Sequence, residues 1–150
     1  DVDRQALIDT YYHPHHNSLT RMVDDSLEQH GRCLIIDCHS FPEQPLPYET
    51  DSNRPDICIG TDAIHTRTEL LDGLSQAFTA LGYAVAVDSP FSGTIVPLKH
   101  YHKDHRVSSI MIEVNRSLYD DRGGFARLQS DLSDAIAQAA TIDLFDNAGE

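Results

Sequence analysis

The sequence predicts an α/β fold in which helices flank a mostly parallel or mixed sheet. The chain has 150 residues, enough for a single domain with a hydrophobic core. Short continuous apolar runs, typical of strands buried on both faces, alternate along it with amphipathic stretches of helical periodicity. Because ligands of such folds bind beyond the carboxyl ends of the strands, functional residues are expected there.

The first part of the chain predicts two helices and a strand. Residues 1–13 have an apolar side, and Pro14 is expected to interrupt or kink the helix because proline lacks an N–H group. Residues 15–30 carry apolar side chains at helical spacing, and Gly31 is a natural helix end. The apolar run 33–36 then predicts the first strand.

The middle of the chain predicts a long loop followed by a strand–helix–strand unit. Prolines make 40–56 irregular, and long loops inside compact domains are usually functional. A short strand is predicted over 57–60 and an amphipathic helix over 66–81, which Gly82 ends. Residues 83–87 predict the third strand.

The last part of the chain predicts one more strand and a closing helix. Residues 88–106 form a second loop that is rich in histidine, residues 109–114 form the fourth strand, and a helix runs from 125 to about 140. The loop histidines are expected at the surface, and His65 at the surface or at a helix end. The sequence has no internal repeat or convincing linker, so residues 1–150 are expected to form one domain.

The charge balance excludes some partners. Eleven Lys and Arg against 24 Asp and Glu give a formal net charge of -13, so this acidic protein is not expected to bind nucleic acid or an anionic membrane. No apolar run approaches the ~20 residues of a membrane-spanning helix. Three cysteines without a secretion signal predict reduced thiols and a cytoplasmic location.

Asp37 and His39 follow the first predicted strand, two residues apart and so on the same side. An imidazole suits Zn²⁺, and a carboxylate beside it fixes the tautomer and raises the basicity of the ring. His39 is therefore a candidate zinc ligand, and Asp37 is a candidate supporting residue behind it. The alternative is a hydrogen-bonded core histidine.

Glu113 lies inside the fourth apolar strand, where glutamate is seldom buried without a partner. A buried carboxylate is costly unless it is paired, protonated or close to a metal. The sequence therefore offers two interpretations. Either Glu113 is a general base that faces a pocket at the strand end, or it forms a salt bridge with Arg116 or Arg106.

Three further residues are candidates at the same site. Arg54 precedes the second strand and Arg116 follows the fourth, and an arginine there can bind a substrate carboxylate through two hydrogen bonds. An internal ion pair is the alternative for each of them. His16 falls near the buried side of its helix, so it is expected to point toward the pocket as a supporting or substrate contact.

Five motifs follow one another in a recognisable order. They are 12–19 (YHPHHNSL), 37–42 (DCHSFP), 54–60 (RPDICIG), 88–93 (DSPFSG) and 109–119 (SIMIEVNRSLY). Together they resemble the N-formylglutamate amidohydrolase family. The chain is similar to the C-terminal half of that family, so it is expected to be part of a larger domain.

The resemblance implies a zinc-dependent exopeptidase-like fold and hydrolysis of the amide of an N-formyl or other N-acyl acidic amino acid, such as N-formylglutamate. It implies that His39 binds zinc and that Glu113 is the general base. Asn115, inside the last motif, joins Arg54 and Arg116 as a candidate for substrate binding. The partner is then a small N-acyl amino acid.

Two alternatives remain open at this point. The chain can be a non-catalytic domain that keeps the sheet but has an incomplete metal site, because a catalytic zinc site needs three protein ligands and an open position. It can also be a related metallopeptidase or deacylase that acts on larger substrates.

Overall fold

The computed structural model describes residues 3–47, 52–119 and 122–145. In chain order its elements are α1 (Arg4–Leu7), a π-helical turn (Ile8–Tyr12), α2 (His13–His30), β1 (Cys33–Phe41), β2 (Ile57–Gly60), α3 (Thr68–Ala80), β3 (Val85–Val87), β4 (Val107–Asn115), a 3₁₀ turn (Arg116–Tyr119) and α4 (Arg122–Phe145). The α/β class that the sequence predicts is confirmed. No helix in these ranges combines the length and apolar character needed to cross a membrane.

The described N-terminal segment is helical through Pro14, so the expectation that Pro14 interrupts the helix is wrong, while a kink there stays a prediction. α1, the π-helical turn and α2 follow one another from Arg4 to His30. In the π-helical turn the N–H of His13 donates to the carbonyl of Ile8, five residues back. This wider turn lies directly before Pro14, whose ring would crowd the carbonyl four residues back in a regular α-helix.

The sheet of the described residues has four strands in the order β1-β4-β2-β3. β1 runs parallel to β4, and β2 runs parallel to β3, while β4 and β2 are antiparallel. The sheet is therefore mixed, one of the two forms expected. Because of the antiparallel junction, the carboxyl ends of β1 and β4 lie at the same edge of the sheet as the beginning of β2.

The two faces of the sheet pack against different layers. On one face, here called the α3/α4 face, apolar residues of all four strands pack with the buried sides of α3 and α4. On the opposite face, the α2 face, Cys33, Ile35 and Val107 pack with Val23 and its neighbours in α2. Side chains alternate between the faces along each strand, so the register assigns every strand residue to one of them.

The loop after β3 is anchored across the α2 face. Asp88, at φ 52°, accepts hydrogen bonds from the N–H and the hydroxyl of Thr61 at 2.8 and 2.6 Å. Further along, a Cβ atom on Gly60 would overlap the carbonyl oxygen of Gly93 and the side chain of Met111. The glycine therefore allows the loop backbone to lie directly against β2.

Several predicted boundaries differ from the structure. β1 was expected over 33–36 but continues to Phe41, because its pairing with β4 extends residue by residue to Asn115. β4 is also longer than 109–114, β3 is shorter than 83–87, and α4 extends beyond both predicted ends. The predicted loop over 40–56 begins inside β1, and residues 48–51 lie outside the described ranges.

Two histidines, His100 expected at the surface and His65 at the surface or at a helix end, are buried. His65 is 1% exposed, and its Nδ1 lies 2.7 Å from the carbonyl of Val107. Its Nε2 accepts the backbone N–H of His102 at 2.8 Å, so both ring nitrogens have structural partners. His100 is 5% exposed and lies against Asp24 of α2.

Candidate functional site

The ends of β1 and β4 bring the two principal candidates together. His39 and Glu113 are direct partners in the parallel register, so both side chains lie on the α2 face. On either side of this pair, Asp37 is opposite Met111 and Phe41 is opposite Asn115. The sequence predicts His39 and Glu113 in one pocket at the carboxyl ends of neighbouring strands, and the structure confirms the neighbouring strands. Their chemical roles stay predictions.

Asp37 holds the His39 ring from the same strand. Its Oδ1 lies 2.8 Å from His39 Nε2, and its Oδ2 accepts the N–H of Ile95 at 3.1 Å. The His39 side chain is 51% exposed, which does not fit the alternative of a core histidine. When Nε2 carries the proton shared with Asp37, Nδ1 presents the lone pair that a metal ion requires.

Glu113 is a buried carboxylate with an unused oxygen. The residue is 9% exposed, and its buried Oε2 has no hydrogen-bond partner among the described residues. Burial raises the pKa of Glu113, the charges of His39 and Arg116 lower it, and Asp37 raises it further. A buried polar atom without a partner costs about 1–3 kcal/mol and marks a candidate functional group.

The salt bridges proposed as the alternative for Glu113 are not among the contacts of the described residues. Arg116 donates from Nε to the Ser40 hydroxyl at 3.2 Å and from Nη2 to the Ser40 carbonyl at 3.1 Å. Arg106 is bound to Asp104, with Nη2 and Oδ2 2.7 Å apart. Arg116 therefore joins the end of β4 to β1 beside His39, and its substrate contact stays a prediction.

Arg54 reaches the same edge of the sheet because β2 runs antiparallel to β4. Its guanidinium carbon lies 5.7 Å from the centroid of the Phe41 ring and 6.0 Å from that of Phe91. The two ring centroids are 5.6 Å apart. In an all-parallel sheet, a residue before β2 would lie at the opposite edge from His39 and Glu113.

Sequence reasoning missed three residues of this region. Phe41 and Phe91 lie against Arg54, and Cys58 of β2 is opposite Glu113 in the register. The Cys58 thiol donates to the carbonyl of Phe91 at 3.2 Å. Burial raises the pKa of this thiol, which disfavours the thiolate form that a nucleophile needs. Once the directions of the strands are known, the alternation of side chains along each strand places Phe41 and Cys58 on the α2 face. It does not place Phe91, which lies in a loop.

Asn115 has a structural task at the end of β4. It is 3% exposed, and its Nδ2 donates to the carbonyl of Pro55 at 3.1 Å. Its Oδ1 accepts the N–H and the hydroxyl of Ser117 at 3.1 and 2.9 Å. These bonds fix the turn after β4 and the entry to β2, while its contact with substrate stays a prediction.

His16 contacts other residues of its own helical segment. Its ring centroid lies 4.1 Å from that of Tyr12 and 5.1 Å from that of His15. The ring is half-buried, and among the described residues it has no hydrogen bond or ring contact to Asp37, His39 or Glu113. These contacts do not support the expected role at the pocket, which stays a prediction.

A cavity of about 640 Å³ lies on the other face of the sheet, between β1, β4 and α4. His39 is at its rim, but Glu113 is not among its lining residues, which are Cys38, His39, Ser40, Ile112, Val114, Tyr119, Phe125, Leu128, Gln129, Leu132 and Ile136. His39 and Glu113 therefore share a sheet face rather than this cavity.

The donor set does not make a complete zinc site. His39 Nδ1 is a suitable donor, but no group of three or more His, Cys, Asp or Glu side chains within the described ranges is arranged to hold a metal ion. Catalytic zinc usually has three protein ligands and one open position. The residues present therefore supply part of such a site.

Comparison with solved structures supports this arrangement of strands and helices. The N-formylglutamate amidohydrolase from Ralstonia eutropha JMP134 is 26% identical, with a TM-score of 0.76 over 97% of this chain and 56% of that chain. A gene product of Agrobacterium tumefaciens is 18% identical, with a TM-score of 0.65 over 94% of this chain and 55% of that chain, and shows the same fold. The chain thus spans little more than half the length of either.

Comparison at the level of sequence gives the family. No match was found among curated proteins. The sequence profile described as N-formylglutamate amidohydrolase matches residues 1–120, a range that includes every candidate site residue named above. The chain belongs to the N-formylglutamate amidohydrolase family.

Proposed function

We propose that this chain carries part of the catalytic site of an amidohydrolase that cleaves N-formylglutamate into formate and glutamate. The observation that supports the proposal most directly is the Glu113 carboxylate, which is buried, incompletely hydrogen-bonded and next to His39 on the neighbouring strand. The family, and the likeness to a solved N-formylglutamate amidohydrolase, support the choice of reaction.

Glu113 is proposed as the general base. Water adds its oxygen to the formyl carbon, Glu113 accepts a proton from that water, and the proton then passes to the amide nitrogen as the C–N bond breaks. Burial raises the pKa of Glu113, which makes its carboxylate a stronger base than an exposed glutamate. The products are formate and the free amine of glutamate, so the atoms balance.

The arginines are proposed to hold the carboxylates of the substrate. Arg54 and Arg116 both lie at the edge of the sheet where β1 and β4 end, and a guanidinium matches the planar geometry of a carboxylate. In a chain of net charge -13, cations at this edge also offset the repulsion that a dianionic substrate would meet.

A zinc ion is proposed at His39, with Asp37 supporting the ring. Zinc in such a site polarises a carbonyl and lowers the pKa of bound water to about 7. Its further ligands would have to come from outside the described residues.

The incomplete donor set favours a second candidate, a domain of this family without catalytic activity. Such a domain would keep the sheet and the Asp37–His39 contact but would neither hold zinc firmly nor release formate. Metal content and turnover distinguish the two candidates, because a catalytic site requires both.

The test is formate release from N-formylglutamate by the intact gene product that contains these 150 residues. We expect Glu113→Gln to lower kcat at least about 100-fold, the usual contribution of a general base, while the protein stays folded. Glu69→Gln, at an exposed position of α3, is the matched control and should keep full activity. Wild-type protein that binds zinc but releases no formate would contradict the proposal.

A further inference from the structure

We infer that Phe41 and Phe91 are positioning residues, which orient the Arg54 guanidinium toward a carboxylate of the substrate. The inference rests on the proposed function, and it assigns a task to two apolar residues that otherwise resemble ordinary core side chains. The three side chains are called the Arg54 clamp below.

The clamp is formed by elements that are far apart in sequence. Arg54 precedes β2, Phe41 ends β1, and Phe91 comes from the loop after β3. The guanidinium carbon is 5.7 Å from the centroid of one ring and 6.0 Å from that of the other, within the range of a cation–π contact. A cation–π contact acts through the ring face and limits the orientations of a planar guanidinium.

Both rings are held by backbone that is itself anchored. Phe41 is 1% exposed and lies in the β1–β4 ladder opposite Asn115. The carbonyl of Phe91 accepts the Cys58 thiol at 3.2 Å. On either side of Phe91 the loop is fixed by Asp88, which binds Thr61, and by Ile95, whose N–H binds Asp37 at 3.1 Å.

The clamp lies at a useful distance from the proposed reaction centre. Phe41 follows His39 by two residues on the same face of β1, a separation of about 7 Å along the strand. That step is comparable with the span between the formyl group and a carboxylate of N-formylglutamate. A rigid Arg54 would therefore fix the substrate relative to His39 and Glu113, which is where positioning contributes most to catalysis.

The experiment follows binding rather than turnover, on the 150-residue chain. N-formyl-L-glutamate and its dimethyl ester, which lacks both carboxylates, are titrated separately while the Arg54 side-chain resonances are observed by NMR. Phe91→Leu removes the more accessible ring, and Phe41→Leu removes the buried one. Phe125→Leu, an exposed phenylalanine of α4, is the matched control.

In the wild type we expect the diacid, but not the diester, to shift the Arg54 resonances. Phe91→Leu should move those resonances in the free protein and weaken diacid binding about fivefold to tenfold, the size of a partly buried cation–π contact. It should leave diester binding unchanged, and Phe125→Leu should change neither. If Phe41→Leu stays folded, it should act as Phe91→Leu does.

Equal weakening of diacid and diester binding would show a merely structural role and overturn the inference, as would unchanged Arg54 resonances in Phe91→Leu. Absence of diacid-selective binding in the wild type overturns it as well, whatever the enzymatic activity. Diacid-selective binding that depends on Phe91, together with no formate release by the intact gene product, would contradict the proposed function and leave the clamp standing.

Discussion

Asn115 and Glu113 show how differently two buried polar side chains of one strand are used. Both lie on the α2 face near the end of β4. The Asn115 amide has hydrogen-bond partners at both ends, whereas one Glu113 oxygen has none in the part of the chain that the structure describes. A buried side chain whose hydrogen-bonding groups all have protein partners stabilises the fold. A buried side chain with a hydrogen-bonding atom left over is available for chemistry.

The first prediction concerns Asn115. Replacement by alanine removes three hydrogen bonds and leaves the Pro55 carbonyl and the Ser117 N–H to find other partners, so Asn115→Ala should lower the free energy of unfolding by about 2–3 kcal/mol. Urea unfolding measures it. Asn17→Ala, at an exposed position of α2, should change stability by less than about 1 kcal/mol. An Asn115→Ala variant as stable as the wild type would mean that the hydrogen bonds of Asn115 do not stabilise the fold.

The second prediction concerns Asp104, which Arg106 holds through two side-chain hydrogen bonds of 2.9 and 2.7 Å. The Arg106 hydrogen bonds lower the pKa of Asp104 to about 2 in the folded protein. The unfolded chain therefore takes up this proton first as the pH falls, and the stability that the pair contributes is lost between about pH 4 and pH 2.

Asp104→Asn removes the stability that the ion pair between Asp104 and Arg106 contributes. The difference in unfolding free energy between the wild type and Asp104→Asn should be larger at pH 6 than at pH 2.5, as measured by urea unfolding at both pH values. Asp25→Asn, at an exposed position of α2, is the control. The same difference at both pH values would contradict the linkage.

The sequence identified Glu113 because a carboxylate stands out in an apolar strand, and His39 because it follows such a strand beside an acid. It named Arg54 as a candidate but could not show at which edge of the sheet Arg54 lies, because that edge depends on the direction of β2 relative to β4. Phe41 and Phe91 carry no signal of their own, because an aromatic residue near a strand end is usually part of the core. His65 and His100 were misplaced because their partners are distant in sequence.

At the scale of elements, the loop after β3 does most to shape the α2 face. It contacts β1 through Asp37, β2 through Cys58 and the residue after β2, Thr61, and it passes over Gly60. The sequence predicted an irregular loop here, but its path across the sheet results from contacts between residues more than twenty positions apart. Such contacts are invisible to periodicity.

The third prediction tests the close approach at Gly60. A methyl group there would overlap the Gly93 carbonyl and the Met111 side chain, so Gly60→Ala should cost about 1–3 kcal/mol of stability through overpacking. It should also shift the backbone resonances of the loop. Gly31→Asn provides the comparison, because that position ends α2 at φ 73° with open space around its Cβ and asparagine tolerates this conformation. Equal stability of both variants would contradict the packing argument.

At the scale of the molecule, the fold class and the positions of the strands were predictable because buried strands have a strong hydrophobic signal. The direction of each strand was not predictable, and strand direction decides which residues lie together at the edge of the sheet that carries the site. The extra length of β1 was also missed, since Asp37, His39 and Ser40 are polar yet remain in the ladder with β4. Pairing with a neighbour overrides their weak strand propensity.

The fourth prediction concerns the 150-residue chain as a whole. It should bind zinc weakly, well short of the about 10–16 kcal/mol of a complete zinc site, because its described residues supply His39 but no set of three ligands. Its release of formate from N-formylglutamate should be correspondingly low. Calorimetric zinc titration and a formate assay on one sample measure both. Tight one-to-one binding with turnover would show that the chain holds a full ligand set.

The π-helical turn before Pro14 has a consequence for sequence alignment. Such a turn is what a one-residue insertion leaves in an α-helix, and each residue turns an α-helix by about 100°. In a homologue without the turn, the residues on one side of Ile8–Tyr12 therefore correspond to positions shifted by one along the helix. An alignment of the two would need a single-residue gap in this segment, and without it the aligned residues of α1 would lie on different sides of the helix.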